Sequence, residues 1–265
     1  MKKLLAVLLA LGLTLAFTAC DDTAGNADDT DTDSNVEDTT EDTSDDTTED
    51  TSDDTSADTS DEVTVMSYAE YAAAELESEV VIEAYVQAKQ SWWDNKATIY
   101  TQDADGAYFI YEMTCTEEDY AKLTPGTKIR VTGYKTAWEG EVEIASGATF
   151  EIIDGDTYVA EPTDLTEKLG TDELINYQNQ LAVFKGMTVE AVEYKNGTPG
   201  DDIYVTLSLN GESYDFCVEY YLTGDDTEVY KTVGTLKQGD KVDVEGFVYW
   251  YQTINTHITA VTVVE

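Results

Sequence analysis

The chain has 265 residues, and its 56 acidic side chains against 14 lysines and arginines give a formal net charge of −42. The charge is uneven, because residues 21–62 hold 19 acids and no base, whereas the chain after residue 62 holds 37 acids and 12 bases. Nucleic-acid binding draws its affinity from lysines and arginines that displace counterions from phosphates. No basic patch is evident, so the composition predicts that nucleic acid is not a partner.

The first twenty residues have the three parts of an export signal. Two lysines give a positive start, residues 4–17 form an almost unbroken apolar run, and Ala19-Cys20 ends the segment. Such a run is too short to cross a hydrocarbon core of about 30 Å comfortably as a permanent helix. The segment resembles a bacterial lipoprotein signal, in which a small residue precedes the lipid-bearing cysteine, although Phe17 stands where leucine is usual.

This resemblance implies that residues 1–19 are cleaved and that Cys20 carries a lipid. A lipid at this position predicts anchoring at the extracellular face of the cell membrane, which makes the membrane a predicted partner. The alternative is an ordinary secretory signal with an incidental cysteine.

Residues 20–62 are predicted to form a disordered acidic tether. From Glu37 to Ser60 a four-residue unit occurs six times without a break, each unit having an acid (Ala57 in the last), then Asp, Thr, and Ser or Thr. A segment with this charge density and no aromatic residue buries too little apolar surface to offset its ordering entropy. Fully stretched, it reaches on the order of 140 Å.

Beyond the tether, two halves of the chain echo each other. Residues 123–134 match residues 236–247 at equal offsets, in the order Leu, Gly, Lys, aliphatic, Val, Gly and aromatic. The pattern predicts a turn that contains glycine, followed by a strand with alternate residues facing inward. The second glycine of each copy, Gly133 or Gly246, predicts a bend or bulge where a curved sheet turns a corner.

The predicted elements occur in the same order in both halves. Short amphipathic segments, Ser67–Leu76 and Thr171–Tyr177, precede them. The first half predicts a strand at Val80–Lys89, two strands within Lys96–Met113, a helix at Thr116–Leu123 capped by its threonine, the echo strand and a strand at Glu141–Ile153. The second half predicts Leu181–Tyr194, Ile203–Leu209, Glu212–Tyr220, a loop or short helix through Gly224–Leu236, Lys241–Tyr251 and Ile254–Val263.

Five strands with a helical connection between the third and fourth resemble the OB-fold, a five-stranded Greek-key barrel. The echo and the stretch 181–186, which is similar to the first strand of that family, carry this resemblance. We therefore predict a mainly β chain with two tandem OB-like barrels, each with short helices, at residues 63–160 and 161–265. The whole resembles Firmicutes-type lipoproteins that carry such domains behind an acidic linker. A β-sandwich of another topology is the alternative.

Tryptophans mark the predicted ligand site. In an OB-fold, ligands bind the face of strands two and three and the flanking loops. Trp92 and Trp93 follow the first strand, Trp138 follows the fourth, and Trp250 holds a similar place in the second half. Aromatic faces beside amides and carboxylates suit sugar rings. The alternative is that these indoles only cover the barrel mouths.

Strand parity adds aromatic residues to this site. Side chains alternate across a strand, so Tyr108 shares a face with Ile99, and Tyr100 shares the other face with Phe109 and Tyr111. Parity alone does not decide which set points inward. Because either choice leaves an aromatic ring outward, Tyr100 and Tyr108 are both candidate ligand-binding residues.

Metal, disulfide and catalytic sites are not predicted. Residues 101–112 match most of an EF-hand calcium loop, but an Asp-Gly step between alternating segments favours a hairpin turn. Cys115 and Cys217 are expected to be separate buried thiols, with an inter-domain bridge as the alternative. The one histidine, His257, has no evident nucleophile partner, so we expect neither an enzyme nor a cofactor.

These features together predict a lipid-anchored surface binding protein for an extracellular glycan or another extracellular molecule, a protein included. A structural adaptor that makes protein contacts through strand edges is one alternative. An OB-fold nucleic-acid binder is the other, and the net charge disfavours it. No feature of the sequence predicts an oligomeric state.

Overall fold

The structure, a computed structural model, describes residues 63–264. The predicted signal, the lipidation site Cys20 and the acidic tether lie outside these residues. No helix within the described range is both long and apolar enough to pass through a membrane.

The first barrel is a closed five-stranded sheet with a sixth short strand. Its strands follow the order β1-β2-β3-β5-β4, and β4 pairs with β1 to close the ring. The β3–β5 pair is parallel and the other pairs are antiparallel. The elements are α1 (Tyr68–Ala73), β1 (Glu79–Lys89), β2 (Lys96–Gln102), β3 (Ala107–Thr114), α2 (Glu117–Lys122), β4 (Lys128–Trp138), β5 (Glu141–Ile144) and β6 (Thr149–Ile152).

The second barrel repeats this topology. Its closed ring runs β8-β9-β10-β13-β11 and back to β8, with β10 and β13 parallel. Short 3-10 helices occupy Thr166–Lys168 and Leu174–Tyr177. The remaining elements are β7 (Thr163–Asp164), β8 (Leu181–Tyr194), β9 (Ile203–Leu209), β10 (Glu212–Val218), α3 (Tyr220–Thr223), α4 (Glu228–Val233), β11 (Lys241–Phe247), β12 (Trp250–Tyr251) and β13 (Thr253–Val264).

The predicted fold class is confirmed: the chain is mainly β, with two OB-like barrels. The alternation of apolar and polar residues predicted the bounds of most strands to within a residue or two, because one face of each strand packs into a barrel core. The predicted fifth strand of the first half is broken into β5 and β6 around Gly147, and β7 had no predicted counterpart.

Each echo glycine lies at a corner of its barrel. Strand β4 pairs with β6 before Gly133 and with β5 after it, so this glycine marks the change of partner. Gly246 lies at a register shift between β11 and β13. A Cβ at Gly133 would lie 2.6 Å from Ile144, and one at Gly246 would lie 2.3 Å from the His257 carbonyl oxygen. Both positions therefore need glycine because two chain segments approach closely there, not because the chain makes a turn.

The predicted hairpin at residues 101–112 is confirmed. The Asp103 carboxylate accepts hydrogen bonds from the backbone amides of Asp105 (2.7 Å) and Gly106 (2.8 Å). This is the local Asx-type arrangement that stabilises a tight turn. Glu112, which would be the last ligand of a calcium loop, forms an ion pair with Lys96 at 2.9 Å instead.

Each barrel has its own core of buried aliphatic and aromatic side chains. Burial of such a side chain stabilises the folded state by about 1.5–3 kcal/mol. The first core includes Ile82, Ile99, Tyr108, Ile110, Met113 and Val131; the second includes Phe184, Met187, Val205, Phe216, Val244 and Ile258.

Helix α2 begins as predicted, because the Thr116 hydroxyl accepts a hydrogen bond from the Asp119 amide at 3.1 Å.

We expect Gly246→Ala to lower the free energy of unfolding by about 3 kcal/mol, since its Cβ meets a backbone oxygen that cannot move alone. Gly197→Ala is the control, because nothing lies within 4 Å of its Cβ position. That residue has a φ of +74°, so its substitution costs about 1 kcal/mol from backbone strain. Urea unfolding measures both variants, and equal losses would contradict the corner role of Gly246.

Candidate ligand-binding cleft

Aromatic stacking joins the two barrels. Tyr100 of β2 lies parallel to Phe247 of β11, with ring centroids 4.2 Å apart and an interplanar angle of 7°. Phe109 packs on the same tyrosine at 4.8 Å. The Tyr100 hydroxyl also forms a 2.9 Å hydrogen bond with Nδ1 of His257. This apolar cluster is separate from both barrel cores and consists of residues from both barrels.

Hydrogen bonds around this cluster fix one barrel against the other. The Ser91 amide donates to the Tyr221 carbonyl oxygen at 2.7 Å, and the Leu181 amide donates to Oε1 of Gln102 at 2.9 Å. The Trp250 amide donates to Oε2 of Glu141 at 2.8 Å. Because backbone groups take part in every one of these bonds, the arrangement does not depend on surface side-chain rotamers.

Two adjoining depressions form a cleft beside this junction. The first has a volume of about 510 Å³ and is lined by Gln90, Ser91, Trp93, Thr98, Tyr111, Glu112 and Tyr221. The second has a volume of about 490 Å³ and is lined by Gln90, Phe109, Tyr111, Thr136, Ala137, Trp138, Glu143, Tyr249 and His257. Gln90 and Tyr111 line both, so the two depressions meet at these side chains. We call the pair the aromatic cleft.

Two hairpin turns place the indoles in the cleft. Trp93 directly precedes Asp94 and Asn95, and Trp138 directly precedes Glu139 and Gly140; all four turn residues have positive φ. Two consecutive left-handed residues form the tight turn that suits the twist of a β-hairpin. Trp93 bridges to Lys96 and Trp138 pairs with Glu141 across these turns. Each indole thus extends from a rigid strand end.

The rings of the cleft are partly exposed. Trp93 and Trp138 are each 53% exposed, and Tyr111 is 41% exposed. The ammonium of Lys96 lies 4.8 Å from the Trp93 ring centroid, and the Tyr251 ring lies 5.2 Å from that of Trp138. Partly exposed indoles that neighbouring side chains hold in place can stack on a planar or ring-shaped ligand at little entropic cost.

Four of the six predicted ligand-binding aromatics do not line the cleft. Tyr100 is fully buried between the barrels, and Tyr108 packs in the first core against Tyr68 and Tyr71. These two predictions are wrong, because each face of the β2–β3 pair is covered, one by the core and the other by the second barrel.

The other two misplaced aromatics are tryptophans that pack against protein. Trp92 is half-buried and its Nε1 donates to the Cys115 carbonyl oxygen at 2.9 Å. Trp250 packs on Gly140, whose Cβ position lies 2.8 Å from the indole. Tyr111, Tyr221 and Tyr249 line the cleft without having been proposed as ligand-binding residues. Strand alternation could have predicted Tyr111 as a cleft residue, because its side chain points to the face opposite the core residue Ile110.

Buried carboxyl groups line the junction between the barrels. Burial raises the pKa of Glu141 to about 8, an effect that the nearby Asn179 side chain and the hydrogen bond from the Trp250 amide partly offset. Burial likewise raises the pKa values of Glu143 and Glu219 to about 7. Burial lowers the pKa of His257 to about 4, so its ring is neutral at pH 7. The junction therefore holds protonated carboxyl groups near neutral pH.

The two cysteines are buried and unpaired, as the sequence favoured. Burial raises the pKa of the Cys115 thiol to about 11 and also raises that of Cys217, which makes both poor nucleophiles at neutral pH. Across residues 63–264, no group of three or more His, Cys, Asp or Glu side chains is placed to hold a metal ion.

No protein-family model matches the chain, and no curated protein matches it either. Solved structures do align with it. A murine DNA-binding protein bound to double-stranded DNA aligns with 10% identity and a TM-score of 0.36, over 70% of this chain and 95% of that one. The Ifi202 HINa domain in complex with 20-bp double-stranded DNA aligns with 11% identity and a TM-score of 0.33, over 71% and 98%. The p204 HINb domain aligns with 9% identity and a TM-score of 0.33, over 72% and 100%.

The prediction that nucleic acid is not a partner does not stand. Two of the three aligned proteins were solved with bound double-stranded DNA. That prediction rested on a charge summed over the whole folded part of the chain. A ligand contacts only a small surface, so a total charge does not exclude a class of ligand. Nucleic acid is therefore not excluded as a class of ligand.

Stability is expected to fall as pH rises from 6.5 to 9. The folded state retains protons on Glu141, Glu143 and Glu219 that the unfolded chain, with carboxyl pKa values near 4.5, has already lost. Each raised pKa thus contributes stability at low pH that disappears as pH passes the folded value. His257 opposes this loss only at the low end of the window, because the unfolded ring, with a pKa near 6.5, is mostly neutral by about pH 7.5.

Glu141→Gln should reduce this loss by about 2 kcal/mol, because its amide is neutral at every pH in the window. The measurement is the urea unfolding free energy at several pH values between 6.5 and 9. Glu193→Gln, at an exposed position of β8, is the control and should leave the slope unchanged. An unchanged slope for Glu141→Gln would contradict a protonated carboxyl at the junction.

Proposed function

We propose that this chain is a surface-anchored binding protein that holds a carbohydrate in the aromatic cleft between its two barrels. The observation that carries the proposal is the pair of half-exposed indoles, Trp93 and Trp138, at the two ends of a cleft centred on Tyr111. Contiguous exposed aromatic surface beside polar groups marks a site for ligand or protein contact.

The chemistry of the cleft suits a sugar ring. The C–H face of a pyranose stacks on an indole or phenol ring, while its hydroxyl groups point outward at the ring edge. Gln90, Thr136 and Glu143 lie around the rings as hydrogen-bonding partners for those hydroxyls. A protonated Glu143 can both donate and accept a hydrogen bond, which matches a hydroxyl group.

The cleft is preorganised for binding. Each indole directly precedes a tight turn, and both barrels contribute walls that the junction holds in place. A ligand therefore pays little for ordering the protein, and the stacking energy appears as affinity. The proposal is one of binding without catalysis.

A nucleic acid is the second candidate ligand, because unpaired bases stack on exposed aromatic rings whatever their sequence. Lys96 beside the Trp93 ring is the observation that favours it. This lysine is also paired with Glu112, so a phosphate would compete with that carboxylate. Strong dependence of affinity on salt would be the signature of this mode.

The proposed location of the chain is the membrane surface. In this proposal, a lipid on Cys20 anchors the chain at the extracellular face of the membrane. A structural adaptor that contacts other proteins remains the rival role. That role would not require the exposed surfaces of Trp93 and Trp138.

Binding to a glycan array and to single- and double-stranded oligonucleotides tests the proposal. For the best glycan, Trp93→Ala and Trp138→Ala should each weaken affinity about 10-fold or more, because stacking on one aromatic ring contributes about 1–3 kcal/mol. Tyr134→Ala is the matched control, since this tyrosine is 54% exposed but does not line the cleft. It should bind like the parent.

Glycan binding that both tryptophan variants leave intact would contradict the cleft as the site. Binding to oligonucleotides alone, weakened by salt and by the same variants, would establish the second candidate. No binding in either assay would favour the adaptor.

A further inference from the structure

Four aromatic rings line the second depression of the aromatic cleft, together with a carboxyl group and an imidazole. The rings are Phe109, Tyr111, Trp138 and Tyr249, and the other two groups belong to Glu143 and His257. Tyr249 stacks on His257 with centroids 4.3 Å apart, and it meets Phe109 edge to face at 5.4 Å. Since both barrels contribute rings, the depression has aromatic walls on more than one side.

Strand register places Glu143 among these rings. On β5 it pairs with Phe109 of β3 on one side and with Thr136 of β4 on the other. Adjacent strands lie about 5 Å apart, and paired residues point to the same face of the sheet. Tyr111 and Trp138 lie two residues further along β3 and β4, so they share that face. The Glu143 carboxyl and three of the rings therefore occupy one patch on the outside of the first barrel.

The Glu143 carboxyl has no partner in the protein. The residue is 7% exposed, and no hydrogen bond or ion pair from residues 63–264 reaches its carboxyl group. Thr136 beside it donates its hydroxyl to Oε1 of Glu77 at 2.8 Å instead. Unlike the enclosed Oε1 of Glu141, the Glu143 oxygens keep some accessible surface in the lining of the depression. A ligand in the depression can therefore contact them.

This carboxyl group favours a cationic ligand. Burial alone raises the pKa of Glu143 to about 7, because the protein supplies no partner for the charged form. A cation in the depression would supply that partner. The faces of aromatic rings attract the same cation, each contact contributing about 0.5–2 kcal/mol.

The surrounding charges also favour a cation. Among the described residues that line this depression, none is a lysine or an arginine. Burial lowers the pKa of His257 to about 4, so its ring is neutral at pH 7 and does not repel a cation. The 37 acids and 12 bases after residue 62 attract cations at longer range.

We propose that the second depression binds a trimethylammonium group, with the aromatic rings around its methyl groups and the Glu143 carboxylate as its counterion. Such a group has no N–H donor, so aromatic faces and one carboxylate satisfy it. A primary ammonium, in contrast, would direct N–H donors toward aromatic carbon. The proposal concerns the second depression alone and does not depend on sugar binding.

Neighbouring titratable groups leave the ionisation of Glu143 as the main change near neutral pH. These groups are Tyr71, Tyr111, Glu141, Tyr249 and His257, with Glu77 beyond Thr136. Burial raises the pKa values of the three tyrosines, so they keep their protons. Glu141, with a pKa of about 8, ionises after Glu143.

The test is an NMR titration of the whole chain at pH 8 with choline, read at the backbone amides of Thr136, Trp138 and Glu143. We expect saturable shifts. The neutral carbon analogue of choline, in which a tert-butyl group replaces the trimethylammonium group, has the same shape and should bind at least about 10-fold more weakly, as should methylammonium. Phosphocholine carries the group beside a phosphate. Tighter binding of phosphocholine than of choline identifies a headgroup ester as the natural source, and the reverse order identifies the free base.

The pH dependence gives a second readout. The ionised share of Glu143 rises from about a tenth at pH 6 to about nine tenths at pH 8, so choline affinity should rise about 10-fold over this range. Glu143→Gln should weaken choline binding at pH 8 at least about 10-fold and remove this rise. Its neutral side chain resembles the protonated acid that the folded chain holds at pH 6, so the fold is retained. Glu193→Gln removes the same charge from an exposed position of β8 and should bind choline like the parent.

Trp138→Ala removes one ring and should weaken choline binding about 3- to 10-fold. Equal affinity for choline and its neutral analogue, or for choline and methylammonium, would overturn the proposal. So would an affinity that neither pH nor Glu143→Gln changes, or the absence of saturable shifts with choline. Glycan binding without choline binding would leave the carbohydrate proposal in place and overturn this one, and choline binding without glycan binding would do the reverse.

Discussion

The stacking of Tyr100 on Phe247 holds the two barrels in one arrangement, and the aromatic cleft depends on that arrangement. Tyr100 belongs to the first barrel and Phe247 to the second, and both are almost fully buried. Large aromatic side chains bury more apolar area than any others, so a few of them can fix an interface that is otherwise polar. The hydrogen bonds from Ser91 and Leu181 then set the angle between the barrels.

This junction changes how the OB-like fold is used. The outer face of strands two and three, where single barrels of this kind bind ligands, is covered here by the second barrel. Under the proposed function, the ligand contacts the edge of that face, where Tyr111 is partly exposed and the turns after Trp93 and Trp138 project. The junction that covers this face thus forms a cleft with walls from two domains.

Sequence reasoning predicted the barrels well because their causes are local. Alternation in β8 and β9, the helix cap at Thr116 and the Asp103 turn each depend on a few neighbouring residues. The cleft was predicted only in part: Trp93 and Trp138 line it as predicted, whereas Tyr111, Tyr221 and Tyr249 line it without having been proposed. Tyr100 was misplaced because strand parity cannot show that a second barrel covers the outer face.

The same limit applies to the buried acids. Glu141 and Glu143 alternate in β5 like surface residues of an acidic chain, and nothing in their spacing indicates burial. They are buried because the strand lies where the barrels meet, and burial raises their pKa values. A junction of this kind combines a stacked aromatic centre with carboxyl groups that are neutral at moderate pH.

Residual dipolar couplings of backbone amides test the central claim most directly, because they report the orientation of each barrel in solution. If the stacked junction holds, a single alignment tensor will fit the couplings from strands β1–β5 and β8–β13 together. Two tensors of different magnitude or direction would show that the barrels move independently, and a fixed cleft between them would then be contradicted.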